Sequence, residues 1–149
     1  MGFDKISLKG RALRLLAGRE HSRAELEKKL APHEEAPGEL QRSLDELQAK
    51  GFISDRRVVE SVIHRRAARL GTGRVRQELQ AKGISAECMA DALEGLRGTE
   101  VQRAREVWRK KFGEPATDPA GRARQMRFLA SRGFGAEAIR RVVQGGEDD

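Results

Sequence analysis

Arginine dominates the one stretch of this sequence whose residue types and spacing suggest a chemical task. Residues 65 to 85 read Arg65-Arg66-Ala67-Ala68-Arg69-Leu70-Gly71-Thr72-Gly73-Arg74-Val75-Arg76-Gln77-Glu78-Leu79-Gln80-Ala81-Lys82-Gly83-Ile84-Ser85. Residues 56–82 carry eight Lys and Arg against Glu60 and Glu78, whereas residues 1–55 carry ten charges of each sign, so nearly all of the formal charge of +7 is gathered here. Uncompensated guanidinium groups attract phosphates and carboxylates, and the block implies a polyanion or an acidic protein surface as partner. The glycines expose backbone between two helices, and a helix start at Gly73-Arg74 would offer free amides to an anion.

Other chemistries find little support. Gly71-Thr72-Gly73 follows no strand and lacks the Gly-Lys-Ser/Thr of a phosphate loop. His21, His33 and His64 are scattered, without Cys or carboxylate at ligand spacing, and no local Ser, His and Asp arrangement is visible. Cys88 is the only cysteine, which excludes an intramolecular disulfide and a thiolate zinc site and suits a reducing compartment. We therefore expect no enzyme, cofactor or metal. Nucleic acid would suit the charge, but no aromatic residue lies between 53 and 107 to stack on bases, so contact with it would be broad and electrostatic.

The elements that must position these arginines are helical. With 38% hydrophobic and 36% charged residues, one Trp and no Tyr, the chain cannot fill one thick core. Its Ala, Leu, Glu, Arg, Lys and Gln favour helix, because these side chains keep most of their rotamer freedom there. Ser7 caps a first helix carrying Leu8, Ala12, Leu15 and Leu16, and Ser22-Arg23-Ala24-Glu25 opens a second that Pro32 ends. Leu40, Leu44 and Leu47 mark a third, stopped by Gly51. Ser54 then caps a helix with Val59, Val62, Ile63 and Leu70 on its buried arc, with Ile53 stapled onto Val58. Arg66 falls inside that arc, so it needs either an outlet or an ion pair with Glu60, Glu78 or another module's carboxylate.

Val75 and Leu79 are the buried side of the next helix, and Ser85 caps one carrying Met89, Leu93 and Leu96. Thr99-Glu100-Val101-Gln102 has capping-box spacing ahead of Ala104, Trp108 and Phe112. Asp118-Pro119 starts a helix with Met126, Leu129 and Ala130 as its apolar side, and Phe134 can staple onto Ile139 of the last. Equivalent residues recur in each second helix: Glu25-Leu26 with Lys29, Glu78-Leu79 with Lys82, Phe128-Leu129 with Arg132. A period of about 50 residues describes tandem modules too small to stand alone. The expected fold is all-α, with three-helix repeats over 7–52, 53–97 and 98–144 in an elongated, curved row, and a frayed acidic tail over 145–149. No apolar run approaches the roughly 18 residues needed to cross a bilayer, and Met1 to Lys5 lacks the order of a signal peptide, so a cytoplasmic location is expected; the chain is also expected to be a monomer.

The residues Gly51-Phe52-Ile53-Ser54-Asp55 with Arg57, then Arg65-Arg66, the run Gly73-Arg74-Val75-Arg76-Gln77-Glu78-Leu79 with Lys82-Gly83-Ile84, and Phe128-Leu129 with Arg132-Gly133-Phe134 resemble the RecX family of regulators of the RecA recombinase. The likeness spans about residues 10 to 142, with Val58 where that family would have an aromatic. It implies a curved molecule lodged in the groove of the RecA filament on single-stranded DNA. It also implies inhibition of filament growth, ATP hydrolysis and strand exchange, hence negative control of recombination and repair, without an activity of its own. The alternative is a helical module that binds single- or double-stranded DNA without sequence preference. The candidate face for RecA filament or DNA comprises Arg57, Arg65, Arg66, Arg69, Arg74, Arg76, Lys82, Arg109, Lys110 and Lys111.

Overall fold

The computed structural model describes residues 5–144 and is all-helical among them. The elements are α1 (Leu8–Gly18), α2 (Arg23–Leu30), α3 (Glu39–Ala49), α4 (Asp55–Arg66), α5 (Thr72–Ala81), α6 (Ala86–Gly98), α7 (Glu100–Lys111), α8 (Pro119–Ser131) and α9 (Ala136–Val143), with a 3₁₀ turn Ala31–His33 after α2. The tail 145–149 lies outside the described residues.

The starts follow sequence chemistry. Ser7, Ser54, Ser85 and Asp118 each accept the backbone amide three residues on, and Ser22 with Glu25 forms a complete capping box. Such a cap contributes about 1 kcal/mol, because it satisfies amides that have no partner inside the helix. Thr99 breaks the pattern. Its backbone lies at φ −114, ψ 8, and its hydroxyl donates back to Leu96 O while accepting from Arg103 Nε, so it caps nothing and the expected box does not form.

Apolar side chains collect into three cores. Leu8, Ala12, Leu26, Leu30, Leu40, Leu44 and Leu47 form the first. Val58, Val59, Val62, Val75, Leu79, Ile84, Met89, Leu93 and Leu96 form the second, and Ala104, Leu129, Phe134, Ala138, Ile139, Val142 and Val143 the third. Ile53 is buried in the first core, while Val58 belongs to the second. On α8 the inward residues are Gln125 and Leu129, while Met126 is exposed. The reason is Trp108, whose indole N–H needs an acceptor and finds Gln125 Oε1 at 3.0 Å, with Gln125 Nε2 held in turn by Glu114 O.

Substantial helix packing occurs within each three-helix unit and, between units, only from α6 to α7. Cores this small are marginal alone, so the junctions matter. Both are built alike: the C-terminal turn of one second helix sits on the N-terminus of the preceding unit's second helix. At the first, Ser22 Oγ donates to Lys82 O and Lys82 Nζ stands 3.6 Å from Glu25. At the second, Gly71 N donates to Arg132 O at 2.8 Å and Gly73 N to Gly133 O at 3.1 Å. Carbonyls at the end of one helix thus meet donors at the start of another, the Ser22 hydroxyl at the first junction and the Gly71 and Gly73 amides at the second, and opposite dipole ends face each other. Gly71 permits this approach, since a Cβ there would run into the Gly133 carbonyl and Phe134 N.

Glu25 makes the first junction sensitive to acid. Burial pulls its carboxyl upward, but hydrogen bonds from Arg19 and the Ser22 amide, with the charges of Lys82 and Arg19, outweigh this and hold it at about 2 against an ordinary 4.5. A carboxyl lowered in the folded state stabilises fully above its unfolded value and loses that contribution as pH falls through the folded one. Acid titration followed by circular dichroism should therefore show stability falling between pH 4.5 and about 2. Glu25→Gln is expected to lower stability at neutral pH and flatten that slope; an unchanged slope would show that Glu25 is not its source.

Candidate partner-binding face

The expected break at Gly71-Thr72-Gly73 lies elsewhere: α4 stops at Arg66, residues 67–70 turn, and Thr72 and Gly73 are already inside α5. The amides at the start of α5 are also not free for an external anion. Gly71 and Gly73 bond the α8 turn, and Thr72 N donates to Glu100 Oε1 at 2.9 Å. The other oxygen of Glu100 accepts from Gly135 N at 2.7 Å, so one carboxylate serves the starts of both α5 and α9. Its burial would raise its pKa, yet the bonds from Thr72 and Gly135 and the Arg103 charge bring it below the ordinary value. The third unit has filled the anion site that the linear sequence advertises.

The ten candidate residues fall into separate environments. Arg57 donates to Glu20 Oε2 at 2.9 Å and to Gly51 O at 2.7 Å, tying the α1–α2 turn to the exit of α3. Lys82 is largely covered and paired with Glu25 at the first junction. Arg66 is neither buried nor free: its side chain is 38% exposed and its Nε meets Glu78 Oε1 at 3.2 Å. Arg65 reaches the same carboxylate at 3.9 Å, and Arg109 pairs with Glu106 at 2.8 Å. Arg76 is half-buried on α5.

The rest converge. Arg66, Arg69, Arg74 and Arg132 border a groove of about 500 Å³ between the end of α4, the first turns of α5 and the last of α8, with Glu78 on its wall. Arg69 and Arg132 continue into a second depression of about 280 Å³, where Lys110 and Lys111 join them. Arg74 also donates to Ser131 O at 2.7 Å, so it both lines the groove and holds the second junction. Arg69, Lys110, Lys111 and Arg132 have no ion pair among the described residues, which leaves them available to an anionic partner.

Arg132 and Phe128, which line these depressions, are absent from the candidate face although both stand in the repeat pattern. Arg132 occupies the place of Lys82 one unit on, and a charge window confined to 56–82 does not reach it. Arg103 was missed altogether. Only 13% exposed, it donates to Ala67 O, Leu70 O, Thr72 Oγ1 and Leu96 O, and stands 3.7 Å from Glu100. It is a clamp between units rather than a contact for a partner.

The remaining reactive side chains take quiet roles. His21 is buried, its Nδ1–H donating to Arg19 O and its Nε2 accepting from Lys29, and burial pushes its pKa down. Burial and the nearby Asp55 charge push the half-buried Cys88 thiol up, which keeps it protonated at neutral pH. Among the described residues no three His, Cys, Asp or Glu side chains are placed to hold a metal ion, and no helix is long and apolar enough to cross a membrane.

Residues 9–47, 54–93 and 99–143 match, in order, the family models for the first, second and third three-helix domains of RecX. The chain is 57% identical over 140 residues to the regulatory protein RecX of Leptothrix cholodnii, covering 94% of this chain and 89% of that protein. It is 44% identical over 142 residues to the regulatory protein RecX of Ralstonia nicotianae, covering 95% and 89%. Among solved structures, RecX from Lactobacillus salivarius superposes with a TM-score of 0.76 at 19% identity, covering 93% of each chain. A second crystal structure of a regulatory protein RecX gives 0.76 at 21% identity, covering 92% of this chain and 71% of that one.

Proposed function

The chain belongs to the RecX family of regulatory proteins, and from that premise we propose that it binds the RecA filament on single-stranded DNA and restrains its extension, ATP hydrolysis and strand exchange. The observation that carries this reading is the cluster of Arg69, Lys110, Lys111 and Arg132 around two connected depressions, cationic and without internal ion pairs. Charge left uncompensated costs folding free energy by self-repulsion and is relieved by an anionic surface, which also speeds encounter. Three units joined in series would lay this face across neighbouring protomers of a polymer, and several modest contacts at once give an affinity that one would lack. The chain performs no bond-breaking step in this scheme; it acts as a cytoplasmic monomer by occupancy.

Charge reversal at Arg65, Arg69 and Lys110, all exposed, is expected to reduce inhibition of RecA ATP hydrolysis at least tenfold while far-ultraviolet circular dichroism stays unchanged. Wild-type inhibition by that triple variant would sink the assignment of the face. The second reading, bare nucleic acid as sole partner, is favoured by the same free cations. It requires tight, steeply salt-dependent binding to single strands and loss of inhibition when free DNA is in excess. Co-sedimentation with preformed filaments, beside DNA alone, separates the two.

A further inference from the structure

The smaller depression has chemistry of its own. Its floor is Ala68 from the 67–70 turn, Val107 from α7 and Phe128 from α8. Its rim carries Arg69, Lys110, Lys111 and Arg132, and the one carboxylate of the lining, Glu106, is engaged by Arg109 at 2.8 Å. Lys111 Nζ and Arg132 Cζ stand 5.4 and 4.8 Å from the Phe128 ring centroid, and Phe112 meets that ring edge-on at 5.5 Å. Two of the rim cations, Lys111 and Arg132, are therefore held over the aromatic floor. An apolar floor ringed by four like charges is a poor surface for an isolated protein and a good one for a ligand that brings an apolar group with anions around it.

Nucleic acid fits this slot poorly. A base would need an open aromatic face to stack on, and that of Phe128 is taken by Arg132 and Lys111. A carboxylate-bearing peptide needs no such face: one Leu- or Phe-sized side chain suits about 280 Å³, and flanking acids reach the rim. We propose that the slot formed by Ala68, Val107 and Phe128 and rimmed by Arg69, Lys110, Lys111 and Arg132 docks an acidic segment of a partner protein, one apolar side chain inserted and carboxylates on either side. The proposal deepens the preceding reading, in which the partner is a protein filament, by naming the chemistry that this part of the face recognises.

The probe is a fluorescein-labelled pentapeptide with a central phenylalanine between two pairs of acidic residues, titrated against the full chain by anisotropy. A serine-centred peptide of equal charge and a ten-nucleotide oligothymidylate serve as comparisons. The phenylalanine peptide should bind about tenfold more tightly than the serine peptide. Ala68→Phe, which fills the floor from an exposed turn position without replacing a cation, should erase that preference. The rim variant Lys110→Glu with Arg69→Glu should weaken both peptides alike, and it serves if the filled slot fails to fold. Equal binding of the two peptides by wild type overturns the proposal. So does a preference that survives in folded Ala68→Phe, or an oligothymidylate that outcompetes the peptide and loses affinity in parallel. Failure of the wild-type chain to sediment with RecA filaments would remove the RecA reading and leave the peptide result to judge the slot.

Discussion

Arg103→Met is expected to destabilise the protein by about 3 kcal/mol and to lower its thermal midpoint by roughly 10 °C, through loss of the fork that joins the second and third units. Methionine fills much of the same volume but donates nothing. The carbonyls of Leu70, Ala67 and Leu96 then lose a charged donor, and the Thr72 hydroxyl loses its partner. Glu100 remains largely covered without its neighbouring cation. Arg103→Lys keeps the charge beside Glu100 but not the planar fork, and should recover only a minor part of the loss. Hydrogen exchange gives the sharper reading, with protection in α7, α8 and α9 falling before that in α1 to α3. A midpoint within 2 °C of wild type, or a loss spread evenly over all helices, would show that the clamp does not set the junction.

Gly133→Ala should be nearly as damaging, for a different reason. Gly133 sits at φ 91, in the left-handed region, where a Cβ costs about 1–2 kcal/mol. The added methyl would also press into Cβ, Cγ and N of Arg74, at the start of α5. Backbone N and Cβ cannot swing away, so the α8 turn must retreat and lose its bonds to Gly71 and Gly73. Gly51→Ala is the natural control. It has φ 85 and the same kind of helix stop, with Phe52 N on Leu47 O, but nothing lies within 4 Å of its Cβ. We expect only the conformational cost at Gly51, and at Gly133 that cost plus opening of the junction. Equal midpoints for the two variants would remove close approach as the reason for glycine at 133.

Both substitutions bear on function through geometry. The face is not carried by one helix: Arg69 follows α4, Arg74 lies on α5, Lys110 and Lys111 end α7, and Arg132 ends α8. The Gly71–Arg132 and Gly73–Gly133 bonds bring the last of these beside the first two. A loosened second junction is thus expected to weaken partner binding although no contact residue has been changed.

Fold class, repeat and most helix boundaries were legible in the linear chain, because caps, glycine stops and apolar periodicity are local chemistry acting over a few residues. The family resemblance was legible too, since it rests on runs such as Gly73 to Leu79. Local rules failed at Thr99, whose hydroxyl turned back to α6, and at Met126, displaced outward because Trp108 required Gln125. What only the tertiary structure decided was which charges remain free. Nothing near Arg57, Lys82 or Arg103 in sequence shows that Glu20, Glu25 and the carbonyls closing α4 and α6 consume them. Nor does the sequence show that Glu100, almost thirty residues away, takes the Thr72 amide at the start of α5 while the α8 turn takes those of Gly71 and Gly73. Electrostatic availability depends on distance in space, falling steeply over a few ångströms, and that distance is set by how the units dock. Within the arginine-rich stretch, the docking of the third unit takes part of the charge out of use and sets Arg132 and Phe128 beside what remains.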